Sequence, residues 1–186
     1  MEYQHTEFKD VIICKPKLFE DERGYFYESF NAVLFKNETG LCTDFVQDNQ
    51  SMSVYGVIRG LHLQGGKHAQ AKLVRCVQGK VLDVIVDLRR DQPTFGKHFA
   101  IELSAENQLQ LYIPTGFAHG FSVLSKKAIF IYKCDRYYHK ESELGVAYND
   151  PHFAIDWKIP KGKQLLSEKD KNNLNFEEAV KQLYKR

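Results

Sequence analysis

The feature that most constrains this chain is a succession of short β-rich segments, each closed by turn residues, with no helical pattern between them through its centre. VIIC at 11–14, YFYESF at 25–30, KLVRCV at 72–77 and KVLDVIVDL at 80–88 come first; HFAIEL at 98–103, QLYI at 110–113, GFSVL at 120–124 and AIFIYKC at 128–134 follow. Most are bounded by Gly, Pro, Asn or Ser, which turn a chain or interrupt a ladder. Strands this close together leave no room for the crossover helices of parallel pairing. The pattern predicts a mainly β fold, an antiparallel barrel or sandwich.

Within KVLDVIVDL the alternation carries more detail. Leu82, Val84, Val86 and Leu88 share one face, while Val81, Asp83, Ile85 and Asp87 share the other. Carboxylates among apolar neighbours are either exposed at a strand edge or buried with a partner; mid-strand Asp83 is open to both readings. Two short helices are expected outside the strands. Asn31 can cap one that carries Val33, Leu34 and Phe35 and stops at Gly40; Asn175 and Glu178 have capping-box spacing before AVKQLY. Residues 158–174 read as an irregular tail. No repeat or linker interrupts the chain, so residues 1–186 are expected to form one domain, with 43% hydrophobic residues, thirteen Phe and ten Tyr to fill its core.

Charge narrows the partners. The net charge is +2 and no Lys/Arg run exceeds two residues, as at Arg89-Arg90, which argues against nucleic acid or a charged membrane surface. MEYQHTEFKDVIIC has neither a basic flank nor an apolar core of signal type, so a soluble cytoplasmic protein is expected. Cys14, Cys42, Cys76 and Cys134 stand far apart, without metal or redox spacing, and are expected to be reduced and mostly buried.

His62, His68 and Lys72 fall within eleven positions in RGLHLQGGKHAQAKLVRCVQG, and Pro114, Gly116 and His119 follow a P-x-G-x-x-H spacing between two strands. The second pattern resembles the cupin superfamily, in which that histidine points into a small β-barrel and in many members ligates a metal. The first cupin motif should then fall around His62. Here Gln64 follows two positions later, and no carboxylate occurs between Gly60 and Gln78, so the usual ligand set is incomplete. Lys72 also opposes a divalent cation, whereas it would stabilise an oxyanion. A metal-free site is expected, with His68 on a surface loop. His5, His98, His139 and His152 belong to no constellation.

FEDERGYFYESF, FVQDNQS, IRGLH, AQAKLVRCVQGKVLDVIVDLRRDQPTFGK, LSAENQLQLYIPTGFAHGF, YKCDRYY, YNDP and IDW resemble the dTDP-4-dehydrorhamnose 3,5-epimerase family over almost the whole chain. The resemblance implies a cupin-type jelly roll with short peripheral helices, acting as a homodimer without metal or cofactor. It implies a substrate, dTDP-4-dehydro-6-deoxyglucose, inverted at carbons 3 and 5 in dTDP-L-rhamnose biosynthesis. Carried over by motif, His62 becomes the general base, Tyr132 the general acid on the opposite face, Lys72 the partner of the carbon-4 ketone, and Asp170 of LSEKD the group that orients His62. Arg23, Glu28, Gln47, Asn49, Arg59, His119, Glu143 and Lys169 would bind the nucleotide-sugar, with Tyr138 stacked on thymine. The family shares its sites across the dimer, so Arg23 to Glu28 would reach the partner's cavity. Leu63, Met52 and the pair Gly65-Gly66 depart from the family's usual Tyr, Arg and proline-rich turn; the first two bear on substrate fit.

The chemistry suits those residue types. Inverting a carbon beside a ketone removes its proton and returns one to the other face through an enolate, which needs a base, an acid across the ring and a donor at the ketone oxygen. Imidazole can serve as base near neutral pH, and a carboxylate on its second nitrogen fixes the tautomer. Pattern alone would leave Tyr132 in the core and Arg23 and Arg59 as surface charges; the resemblance gives them roles. Three other readings stay open: a nucleotide-sugar epimerase inverting one carbon only, a metal-dependent cupin oxygenase or isomerase, and a non-catalytic sugar-binding barrel.

Overall fold

The computed structural model of the chain describes residues 1–41 and 44–185, so the expectation for Cys42 lies outside the described residues. Two antiparallel sheets face each other in the jelly-roll manner. The first runs β1 (Glu2–His5), β2 (Ile12–Lys15), β10 (Gln110–Ile113), β7 (Lys72–Gln78), β12 (Lys127–Cys134) and β5 (Gln47–Val54). The second runs β13 (Glu143–Gly145), β6 (Ile58–Gln64), β11 (Phe117–Val123), β8 (Lys80–Asp87) and β9 (His98–Ser104). A hairpin of β3 (Phe19–Asp21) and β4 (Gly24–Phe26) stands apart from both.

Alternation along each strand sorts side chains between two environments. On β8, Val81 and Ile85 point between the sheets, where they meet Val74, Leu111, Phe121 and Phe130. Leu82, Val84, Val86 and the following Leu88 point outward and are covered by the C-terminal segment through Trp157, Phe176 and Val180. The outer face of the six-stranded sheet is covered by Phe35, packed on Ile12, Cys14, Leu73 and Tyr112. Both β8 carboxylates are buried: Asp83 pairs with His119, and Asp87 accepts bonds from Arg89 and from Thr94.

Helix α1 (Ala32–Thr39) begins where the Asn31 side chain accepts from the Val33 and Leu34 amides, and ends at Gly40 with φ 74°, a left-handed cap that glycine takes without strain. Of its apolar residues Ala32, Val33, Leu34 and Phe35, only Phe35 is buried. Helix α3 (Phe176–Leu183) starts at Asn175, which accepts from the Glu178 amide. Two expectations are corrected. YFYESF is strand only to Phe26, because Tyr27 and Ser29 are then drawn to the six-stranded sheet, Arg75 donating to Tyr27 Oη and Gln110 to the Ser29 carbonyl. The tail expected to be irregular holds a third helix, α2 (Glu168–Lys171), capped by Ser167.

Cys14, Cys76 and Cys134 are free and buried; burial pushes the Cys14 thiol up to about 12. No helix among the described residues is long and apolar enough to cross a membrane.

Candidate active site

The site begins where two strands approach unusually closely. His119 on β11 lies opposite His62 on β6, and the register shifts between His119 and Phe121. A Cβ on Gly60, whose φ is 123°, would lie 2.6 Å from the Gly120 Cα; one on Gly120 would lie 2.5 Å from the Arg59 carbonyl oxygen. Only glycine at both positions permits this crossing. Its consequence is that two imidazoles stand side by side facing the interior.

A cavity of about 370 Å³ is lined by His62, Arg59, Lys72, His119, Tyr132, Asn49, Lys169, Asp170 and Ser167, among others. The four inward-facing residues come from both sheets: His62 and His119 from the five-stranded one, Lys72 and Tyr132 from the six-stranded one. Tyr132 sits opposite Asn49 on β5 and Val74 on β7. A second cavity of about 280 Å³ shares Asn49, His62, Lys72 and Tyr132 and adds Gln47, Tyr138, Glu143 and Cys134.

His62 Nε2 lies 2.6 Å from Asp170 Oδ1. Burial pushes the Asp170 carboxyl up, but bonds from His62 and Ser167 outweigh it and hold the group below the usual carboxylate range. An ionised carboxylate only accepts, so in the neutral His62 ring the hydrogen belongs on Nε2 and the lone pair on Nδ1. His119 Nε2 lies 2.8 Å from Asp83 Oδ2. Burial lowers the pKa of His119, and its neighbours Lys72 and His62 add to this against the opposing pull of Asp83. Burial also lowers Lys72, with Asp83 and Glu143 among the groups opposing it, and raises Tyr132. Tyr132 therefore keeps its proton at neutral pH, while an anion forming beside Lys72 would favour the ammonium.

At the rim, Glu143 joins two elements: Lys169 reaches one of its oxygens at 2.6 Å and the Tyr138 hydroxyl donates to the other at 2.8 Å. Burial raises the Glu143 carboxyl, but these bonds prevail and lower it. Gln47 accepts from the Tyr138 amide and donates to Asn49. Arg59 donates to Ser53 Oγ at 3.0 Å.

Eleven of the thirteen residues expected to act in the site thus line these two cavities. Arg23 and Glu28 do not. They lie on the exposed hairpin side, Arg23 paired with Asp21 and Glu28 accepting from Asn31. His68 is half-buried and stacked on His139 with ring centroids 3.8 Å apart, so neither histidine is an isolated surface residue. Met52 sits on edge strand β5 opposite Ile129, 55% exposed, and does not line either cavity; Leu63 lines the second cavity and also belongs to the outer core. Among the described residues no group of three or more His, Cys, Asp or Glu could hold a metal ion.

Sequence reasoning missed several supporting groups. Asp83 was visible as a carboxylate on an apolar face, but nothing local pointed to His119. Ser167 stands three residues before the predicted Asp170, the S-x-x-D spacing of a cap, a signal present in LSEKD. Gln64 carried none: it accepts from the His139 amide and donates to the His68 carbonyl, tying two loops together.

The chain is similar to known proteins over almost its full length. A family model described as dTDP-4-dehydrorhamnose 3,5-epimerase matches residues 5–178. A dTDP-4-dehydrorhamnose 3,5-epimerase of Shigella flexneri is 52% identical over 174 residues, covering 94% of this chain and 95% of the relative. The crystal structure of a dTDP-4-dehydrorhamnose 3,5-epimerase from Elizabethkingia anophelis matches with a TM-score of 0.93 and 59% identity, over 96% of this chain and 97% of the other. A dTDP-6-deoxy-D-glucose-3,5-epimerase from Legionella pneumophila, in complex with dTDP-4-keto-L-rhamnose, matches with a TM-score of 0.88 and 48% identity, over 92% and 90%.

Proposed function

The chain belongs to the dTDP-4-dehydrorhamnose 3,5-epimerase family, and from that membership we propose that it inverts carbons 3 and 5 of dTDP-4-dehydro-6-deoxyglucose, in dTDP-L-rhamnose biosynthesis. One observation carries the reading. His62 and Tyr132 stand on facing sheets yet line the same cavity as Lys72, and the His62 ring is tied at 2.6 Å to a buried carboxylate.

In this reading His62 Nδ1 takes the proton from the carbon beside the ketone. The electron pair moves onto the carbon-4 oxygen, where Lys72 meets the developing charge. Tyr132 delivers a proton to the opposite face, and Asp170 steadies the imidazolium formed at His62. A donor aimed at such an oxyanion is worth roughly 10²–10³ in rate, which is the loss expected for Lys72→Met. Arg59, Lys169, Asn49, Gln47, His119, Glu143 and Tyr138 bind the nucleotide-sugar, with Tyr138 against the base. A site without metal or cofactor is part of this reading, and it is supported by Lys72, whose charge opposes a divalent cation in the cavity it shares with His62 and His119.

We further propose that residues 1–186 form a single domain acting as a cytoplasmic homodimer, without a nucleic-acid or membrane partner. Phe19, Tyr25 and Phe26 of the hairpin are more than half exposed, and Arg23 and Glu28 lie outside this chain's cavity. Both facts support their acting at a neighbouring chain's site.

The test is incubation with dTDP-4-dehydro-6-deoxyglucose in deuterated water. Label at carbons 3 and 5 with inverted product is expected. Label at one carbon would assign a single-carbon epimerase, and none would leave a binding barrel. Near-stoichiometric metal in the active protein would contradict the metal-free reading.

A further inference from the structure

Resting on the epimerase reading above, we propose that Ser167 is a positioning residue for proton abstraction: its hydroxyl fixes the Asp170 carboxylate and through it sets the orientation and basicity of His62. The geometry links three groups in a row. Ser167 Oγ donates to Asp170 Oδ2 at 2.8 Å, while Asp170 Oδ1 faces His62 Nε2 at 2.6 Å. The Asp170 amide returns to Ser167 Oγ at 3.1 Å. A serine that merely caps a helix needs only to accept that amide. Here its own hydrogen is also committed, to the one carboxylate oxygen that the histidine does not use.

That second bond has two physical effects. A carboxylate tethered through a single oxygen can turn about its Cβ–Cγ bond; tethers on both oxygens fix its plane, and hence the plane of the imidazole it holds. A donor on Oδ2 also draws charge away from Oδ1 and weakens its pull on an imidazolium. Asp170 is 5% exposed, so bulk water is poorly placed to replace the hydroxyl. The other charged or titratable groups that share the two cavities of His62 are Lys169 on α2, Glu143 on β13, His119 on β11, Lys72 on β7, Tyr132 and Cys134 on β12 and Tyr138 just after it, with Arg59 on its own strand. None of them changes in a Ser167 variant. Without the hydroxyl, Asp170 becomes the more basic partner and holds the imidazolium more firmly. The neutral base is then available only at higher pH.

The experiment compares Ser167→Ala, Ser167→Gly and Ser167→Thr. Glycine keeps an acceptable helix cap but has no hydroxyl; threonine keeps both. For Ala and Gly, kcat is expected to fall about tenfold with KM within about twofold, and the acid limb of kcat/KM to move up by about half a pH unit. The far-downfield proton NMR signal of the short His62–Asp170 bond should move in both, and Thr should restore rate, limb and signal. An unmoved limb and signal in Ala and Gly would overturn the proposal, even with kcat reduced, because Ser167 would then be a cap alone. Failure of Thr to restore them would overturn it too. If the unaltered protein exchanges no substrate hydrogen, the epimerase reading falls, and the NMR signal still decides whether Ser167 positions His62.

Discussion

The molecule builds two histidine–carboxylate pairs side by side, on the paired strands β6 and β11, by different means. His119 and Asp83 are both products of the five-stranded sheet: Asp83 lies on β8 opposite Phe121, two residues along β11 from His119. Their pair is fixed by strand register and sealed, with side chains 7% and 0% exposed, and Asp83 Oδ1 has no partner among the described residues. His62 instead receives its carboxylate from α2, 108 residues further along the chain, and its side chain is 28% exposed to the cavity. Both oxygens of Asp170 are engaged. The difference teaches what each pair can do. A pair buried within a sheet holds a ring in place at the cavity wall, whereas the more open ring of His62, with a carboxylate that the tail delivers, is the one more exposed to a molecule in the cavity.

The largest effect that could break this comparison is on the rings themselves. His62→Asn should lower solvent exchange at both carbons by about 10³-fold or more, while His119→Asn should act mainly on KM, by about tenfold. Equal losses of exchange in both variants would erase the distinction. Next come the carboxylates. Asp170→Asn places an amide where the imidazole N–H must be accepted and disturbs the tautomer, so kcat should drop about 10²-fold with KM little changed. Asp83→Asn leaves an amide oxygen able to accept from His119. It should cost about 1–2 kcal/mol of stability and change kcat by no more than about threefold, read by thermal melting and initial rates.

The smallest effect is on acid stability. Asp170 is held below the usual carboxylate range in the folded chain, so its contribution is complete above the unfolded value of about 4 and is lost as pH falls through the lower folded value. The difference in Tm between the unaltered protein and Asp170→Asn should therefore narrow as the pH is lowered below about 4. A gap that stays constant down to acid pH would show that the His62–Asp170 bond adds no charge-dependent stability.

Legibility in the sequence followed the range of the interaction. Strands β7, β8 and β10 were read within a residue or so because apolar alternation is local, and the caps at Asn31 and Asn175 likewise depend only on neighbours two and three positions away. Strand β5 escaped notice. Its sequence QDNQSMSV is mostly polar, since it forms an edge of the sheet and lines the cavity, so no hydrophobic period marks it. The partners of His62 and His119 are set by tertiary packing, and no spacing within the chain announces them. Asp170 came from family resemblance, while Asp83 was legible only as a carboxylate in need of a partner. Arg23 and Glu28, read from the resemblance alone, line neither of the two cavities described.

The central claim is that His62 removes a proton on one face and Tyr132 returns one on the other. Tyr132→Phe keeps the ring and its packing but has no proton to give. With dTDP-4-dehydro-6-deoxyglucose in deuterated water, this variant is expected to incorporate deuterium at carbons 3 and 5 with retained configuration, because protons lost to His62 can come back only from the same side. Normal formation of inverted product by Tyr132→Phe would contradict the account and move the acid to another residue.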